Sequence, residues 1–255
     1  MPPKNRSPRL PRRGVRDRVK PDTIRPMQPT PRKTGPSEPP LIVRHSVSDQ
    51  VLSELRRRII HGDFPPGKLL PESHCAALLA VSRVPVREAI MALEKEGLVV
   101  RDARGRVVVR TFTVRDYHEI VSLRLELEGM AARLAAAHRT DAEVEALELN
   151  IEAFSQADSA EALAQTDVEF HRMILNASGH RWLLHAWGTI CSPYQWLLTR
   201  NFRSYIEATS LEKSKVSALD HSRILEAIRA RKGEEAELLM HQHISRWTEW
   251  TPPID

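Results

Sequence analysis

Asp167 and His171 stand four residues apart in "DVEFH". At 3.6 residues per turn, that spacing places both on one face of a helix. Leu163, Phe170 and Ile174 share the face, which reads as an apolar stripe facing a core. Polar groups without partners are costly in such a stripe, so the pair calls for another side chain, a metal or a ligand. His221 repeats the anomaly beside Ile224, Leu225 and Ile228, and His243 repeats it beside Leu239, Met240 and Trp247. A single core histidine is ordinarily satisfied by a hydrogen bond. Three of them with an aspartate, drawn from three helices, form a donor set suited to a borderline divalent ion such as zinc or nickel. Arg124 lies on the stripe of Ile120, Leu127 and Ala131, where a permanent cation needs an anion. That anion is either the carboxylate of a small organic acid or a structural partner such as Asp167 or Glu128. His241 reads as solvated and His185 as a pocket wall.

A second group of residues suits nucleic acid. In "VSRVPVREAIMALEKEG", Ser82 can cap a helix, Pro85 is tolerated in its first turn, and Gly97 ends it. Arg83 and Arg87 then lie where the helix N-terminus meets a major groove, suited to guanine edges or phosphates. "LVVRDARGRVVVR" reads as two strands around a turn from Asp102 to Gly105. Arg104 and Arg106 at its tip suit backbone or minor-groove contact.

These residues need elements to hold them. Val47, Val51, Leu55 and Ile59 mark a first helix stopped by Gly62 and Pro65-Pro66. "PESHCAALLA" reads as a second, with Pro71 at its first position. Three short helices and a basic hairpin describe a winged helix-turn-helix over 41–112. The remainder, 113–255, reads as helix throughout. A capping box at Thr113 and Asp116 opens a helix to about His138. Further helices fit about 141–156, 159–177, 180–200, 206–231 and 233–250. The fold class is therefore mainly α: the winged helix-turn-helix followed by an antiparallel all-helical bundle of six or seven helices.

Charge divides along the same line. Residues 1–40 hold 11 Lys/Arg against 3 Asp/Glu, 41–112 hold 12 against 8, and 113–255 hold 15 against 22. A basic front and an acidic rear suggest a polyanion bound at the front. The first forty residues also hold 11 of the 18 prolines and little apolar periodicity, so they read as a disordered basic arm. No apolar run approaches the ~20 residues of a membrane span. Cys75 and Cys191 form no CxxC pair, which argues against a disulfide framework and a thiolate zinc site and for a reducing cytoplasm.

"PPGKLLPESHCAALLAVSRVPVREAIMALEKEGLV" resembles the DNA-binding domain of the GntR family of bacterial transcription regulators. The resemblance implies operator contacts for Ser82, Arg83, Pro85, Arg87 and the wing residue Gly105. Ser73 stands where fatty-acid-responsive relatives often carry a DNA-contacting arginine, so their base preference does not transfer. "SLRLELEGMAARLAA", "DVEFHRMILNASG" and "DHSRILEAIRARKGEEAELLMHQHI" resemble the FCD effector-binding domain of the FadR subfamily. There the resemblance places metal ligands at Asp167, His171, His221 and His243. His180, Asp220 and Glu234 depart from the usual Asn, Glu and Asp, and His180 alters the expected pocket rim. Family membership implies a homodimer on a palindromic double-stranded DNA operator, most often as a repressor released by its effector. The competing reading is a metal-dependent enzyme acting on a small organic acid. No general base stands beside the ligands, and that reading leaves the DNA-binding half unexplained. A third reading is a structural DNA-binding protein without a ligand.

Overall fold

The computed structural model describes residues 46–246. The basic arm and Trp247 lie outside the described residues. The chain opens with α1 (Val47–His61), α2 (Glu72–Leu79) and α3 (Arg83–Lys95), followed by β1 (Val99–Arg101) and β2 (Val107–Val109). Ser46 caps α1 by accepting from the Asp49 N–H, and the Asp49 carboxylate accepts from the Ser46 N–H. Val51, Leu55 and Ile59 are buried on its inner face, and Gly62 closes it in the left-handed region. Pro71 stands at the cap of α2 rather than at its first helical position. Ser82 holds the cap position of α3, yet its side chain makes no cap hydrogen bond, contrary to the expectation. The hairpin pairs Val99 with Val109 and Arg101 with Val107. A bridge from Leu69 to Val108 adds a third stretch to the wing. Sequence periodicity missed it because a single bridge has no alternation to read.

Seven helices follow: α4 (Val114–His138), α5 (Asp141–Gln156), α6 (Ala160–Ala177), α7 (Arg181–Ala208), α8 (Leu211–Ser214), α9 (Ser217–Arg229) and α10 (Gly233–Arg246). Capping boxes open α4 at Thr113 with Asp116 and α5 at Thr140 with Glu143. Two expected helices are corrected. The fourth helix of the rear half runs on to Ala208, and the expected 206–231 helix is divided. Its first residues belong to α7, and Ser210 then caps the single turn α8 by accepting from the Lys213 N–H. A serine that offers its own acceptor to a helix start favours a break there over continuation.

α10 packs along α4, so the last described helix closes the bundle against its first. Gly129 permits this approach: a Cβ there would lie 2.0 Å from His241 Nε2. His241 is half-buried, 3.0 Å from the Leu125 carbonyl oxygen, and not solvated as expected. α6, α7 and α9 pack around the same core through Leu163, Phe170, Trp187, Leu197, Ile224 and Ile228.

Candidate metal centre and DNA-binding surface

Asp167 and His171 project from α6, His221 from α9 and His243 from α10 into one buried point. One ligand atom from each lies within 4.8 Å of all the others. His243 Nε2 is 3.2 Å from His171 Nε2 and 3.3 Å from His221 Nε2. Asp167 Oδ1 is 3.3 Å from His221 Nε2, and Oδ2 is 3.6 Å from His171 Nε2. Atoms bound at about 2.1 Å to one shared ion stand about 3.0–3.4 Å apart, depending on the angle between them. The four residues therefore have both the donor chemistry and the spacing to hold a divalent metal.

The surrounding shell favours that use. His171 Nδ1 lies 2.6 Å from Glu128 Oε2, off the line of an ideal hydrogen bond but in ion-pair range. Nδ1 must carry the proton there, since a lone pair would face a carboxylate. In the neutral ring this leaves Nε2 with its lone pair turned to the centre, the form a metal requires. Asp220 Oδ2 stands 3.6 Å from His243 Nδ1 and favours the same form. Burial pushes the His221 imidazole down to about 4, so it is neutral near pH 7. Burial would raise the Asp167 carboxyl, but His171, His221 and His243 outweigh it and hold the group well below the ordinary carboxylate range.

Arg124 is 3% exposed, and its Nε and Nη2 donate to Glu128 at 2.6 and 3.1 Å. Of the two partners open to it from sequence, the described residues provide the structural one. Its guanidinium carbon also lies 3.6 Å from the Tyr194 ring centroid. Glu128 accepts a further bond from Trp187 Nε1 at 2.7 Å, and Tyr194 Oη donates to Asp167 Oδ2 at 3.0 Å. Burial would raise Glu128, yet the Arg124 guanidinium and the N–H that His171 turns toward it hold it far below its ordinary value. Sequence reading did not single out Tyr194 or Trp187, because aromatics on an apolar helix carry no signal that their polar ends are in use. His185, expected to be a pocket wall, is exposed against the edge of Trp182.

At the front, Ser82, Arg83 and Arg87 are exposed at the start of α3, with Pro85 half-buried in its first turn. Arg87 makes a two-pronged pair with Glu72 at 3.0 Å and still keeps 65% of its side chain in solvent. Arg104, Gly105 and Arg106 form the exposed wing tip. Asp102 orders it by accepting from the backbone N–H groups of Arg104 and Arg106, and Gly105 takes the left-handed conformation at φ +73°.

Residues 47–109 match the model of the bacterial regulatory proteins of the gntR family, and residues 119–246 match the FCD domain. This chain belongs to the GntR family, with an FCD domain at its rear. Its relatives include the HTH-type transcriptional regulator YdhC of Bacillus subtilis (strain 168), 26% identical over 199 residues, covering 76% of this chain and 84% of that protein. The regulator Rv0494 of Mycobacterium tuberculosis is 30% identical over 169 residues, covering 57% of this chain and 70% of that protein. A probable D-xylose utilization operon transcriptional repressor of Paenarthrobacter nicotinovorans is 28% identical over 208 residues, covering 81% and 89%. The E. coli McbR/YncC structure shares the fold with a TM-score of 0.65 at 21% identity, covering 79% of this chain and 94% of that one. The GntR chain is accordingly a DNA-binding transcriptional regulator, and its relatives are regulators rather than enzymes, which sets aside the metal-enzyme alternative. Among the described residues no helix is long and apolar enough to cross a membrane.

Proposed function

We propose that this regulator is a cytoplasmic repressor whose operator affinity is set by a small carboxylic acid bound at a divalent-metal centre. The convergence of Asp167, His171, His221 and His243 within 4.8 Å carries the reading. Zinc or nickel suits the mixed nitrogen and oxygen donors. A bound ion of this kind supplies open coordination positions for a carboxylate. Arg124 adds a buried cation beside Tyr194, its charge shared with Glu128. Ser82, Arg83, Pro85 and Arg87 meet the operator from α3, and Arg104, Gly105 and Arg106 meet it from the wing. The chain acts as a homodimer on a palindromic site, with domains at 41–112 and 113–255. The acid releases DNA by binding one arrangement of the DNA-binding domains better than the other. Repression is favoured because a relative bears the name of an operon repressor.

The test begins with elemental analysis of protein purified without chelator and after reconstitution with zinc or nickel. One divalent ion per chain is expected, lost in His171→Ala and His221→Ala. Carboxylic acids are then screened by thermal shift with and without the metal. A stabilising acid should dissociate the wild-type complex with an operator selected from random duplexes, and Arg124→Ala should weaken acid binding several-fold. Absence of metal under both conditions overturns the metal centre, and an acid that binds Arg124→Ala as tightly as wild type removes Arg124 from effector recognition.

A further inference from the structure

α7 touches both functional ends of the molecule within three consecutive residues. Tyr194 is 5% exposed, and its hydroxyl donates to Asp167 Oδ2 at 3.0 Å. Two residues earlier, Ser192 Oγ donates to Glu96 Oε2 at 2.8 Å. Glu96 is the C-cap of α3, the helix that carries Arg83 and Arg87. The same carboxylate accepts from Arg56 Nε of α1 at 2.8 Å, so one group ties α1, α3 and α7 together. Between the two contacts sits Pro193, buried inside the helix, with its ring 3.6 Å from where a Cβ at Gly97 would stand. Gly97, at φ +77°, is the residue on which the chain turns out of α3 into the wing. Farther along α7, Arg203 donates to the His61 carbonyl at the end of α1 at 2.9 Å.

Pro193 has no N–H to offer the Thr189 carbonyl one turn back. A proline inside a helix removes that bond and is a common site of bending. The helix therefore lacks a backbone hydrogen bond at the residue flanked by the two contacts. A shift of the Asp167 carboxylate passes through Tyr194 to a deformable joint whose other side holds the end of α3. The contacts run without a gap from Asp167 to Tyr194, Pro193, Ser192, Glu96 and Arg56, which is the physical continuity a coupling route needs.

We propose that α7 is the lever between the metal centre and the recognition helix, with Tyr194 as a positioning residue for Asp167 and Ser192 as the link to Glu96. This rests on the reading of the cluster as a metal centre, and the experiment separates the two. Zinc binding to the full chain is measured by calorimetric titration, and backbone hydrogen exchange of residues 93–98 is followed with and without saturating zinc. Wild type should bind zinc and show exchange slowed several-fold at 93–98. Ser192→Ala should bind zinc with unchanged affinity, since Ser192 touches no ligand, and lose the slowing. Ser192→Thr keeps the hydroxyl and should keep the slowing. Tyr194→Phe should bind zinc about tenfold more weakly, as expected on losing an outer partner of a ligand, and lose the slowing at saturation. A merely structural Ser192 would alter stability without separating zinc affinity from the response at 93–98. Zinc binding in wild type without slowed exchange overturns the lever and leaves the metal centre standing. Full slowing in both Ser192→Ala and Tyr194→Phe overturns it as well, and failure of wild type to bind zinc overturns both readings. Should Tyr194→Phe fail to fold, the Ser192 pair decides alone.

Discussion

At the scale of single residues, the clustered Asp167, His171, His221 and His243 depend on neighbours outside the cluster. Glu128 receives Arg124, Trp187 and the Nδ1 face of His171 on one carboxylate. Glu128→Gln would leave a buried guanidinium without its counter-charge, a change that costs about 3 kcal/mol or more. It would also loosen His171, so zinc affinity should fall roughly 10–100-fold. Chemical denaturation and a zinc competition titration read the two effects, and unchanged values in both would show that the pair supports neither. At the other end of the chain, Arg83→Ala and Arg87→Ala should each weaken operator binding by about 1–3 kcal/mol, measured by gel shift against a selected duplex. Both side chains are exposed, so the variants should fold, and operator affinity equal to wild type in both would contradict the α3 assignment. The clustering of Asp167, His171, His221 and His243 was legible in the sequence because an ionisable group on an apolar stripe contrasts with its surroundings. Tyr194 and Trp187 were not, since each looks like core until its polar end is seen to reach Asp167 or Glu128.

At the scale of elements, the capped helices were the readable ones. The boxes at Thr113 and Thr140 place the starts of α4 and α5, because a side chain that satisfies a free N–H leaves a local mark. The far end of α7 was misread because no stop residue marks it, and the turn α8 was misread although Ser210 marks its start, inside what read as one continuous 206–231 helix. The approach of α4 to α10 was also invisible, because Gly129 in a helix can equally signify weakness. Its role gives a prediction. Gly129→Ala should push the His241 ring off the Leu125 carbonyl and strain the α4–α10 contact, at a cost of about 1–3 kcal/mol in stability. Zinc affinity should fall with it, because His243 rides on α10 two residues from the colliding His241. Adding His241→Ala removes the collision and should restore much of both, as read by denaturation and zinc titration of the single and double variants. No rescue would place the origin of the loss elsewhere.

At the scale of the whole molecule, acid acts on the buried histidines before it acts on the carboxylates. The folded His221 titrates at about 4 against an ordinary 6.5, so between those values the unfolded chain binds more protons. Stability of the metal-free protein is therefore fully present above pH 6.5 and falls as pH drops toward 4, by roughly 3 kcal/mol for a shift of this size. His243 is lowered by burial too and adds loss of the same sign. Asp167 and Glu128, held below their ordinary values, add theirs only at lower pH. Denaturation in chelator at pH 7.5, 6 and 5 measures the slope, and a flat profile would mean that the histidines are not held neutral.

The pairing of the first bundle helix with the last has a consequence for biogenesis. During synthesis α4 emerges early, but the surface it needs belongs to α10, which leaves the ribosome after every other helix described. His243 travels on that same helix, so a nascent chain offers Asp167, His171 and His221 but not the complete cluster. The DNA-binding half precedes all of this and contributes buried residues of its own from Val51 to Val109. A chain interrupted within α9 would thus possess a DNA-binding half joined to an FCD bundle that cannot close, whereas a substitution within the cluster leaves the closure intact. In a genetic screen, premature stops should therefore yield unstable, rapidly degraded proteins, and, on the proposed function, substitutions at His171 or His221 should yield abundant regulators that no longer respond to the acid.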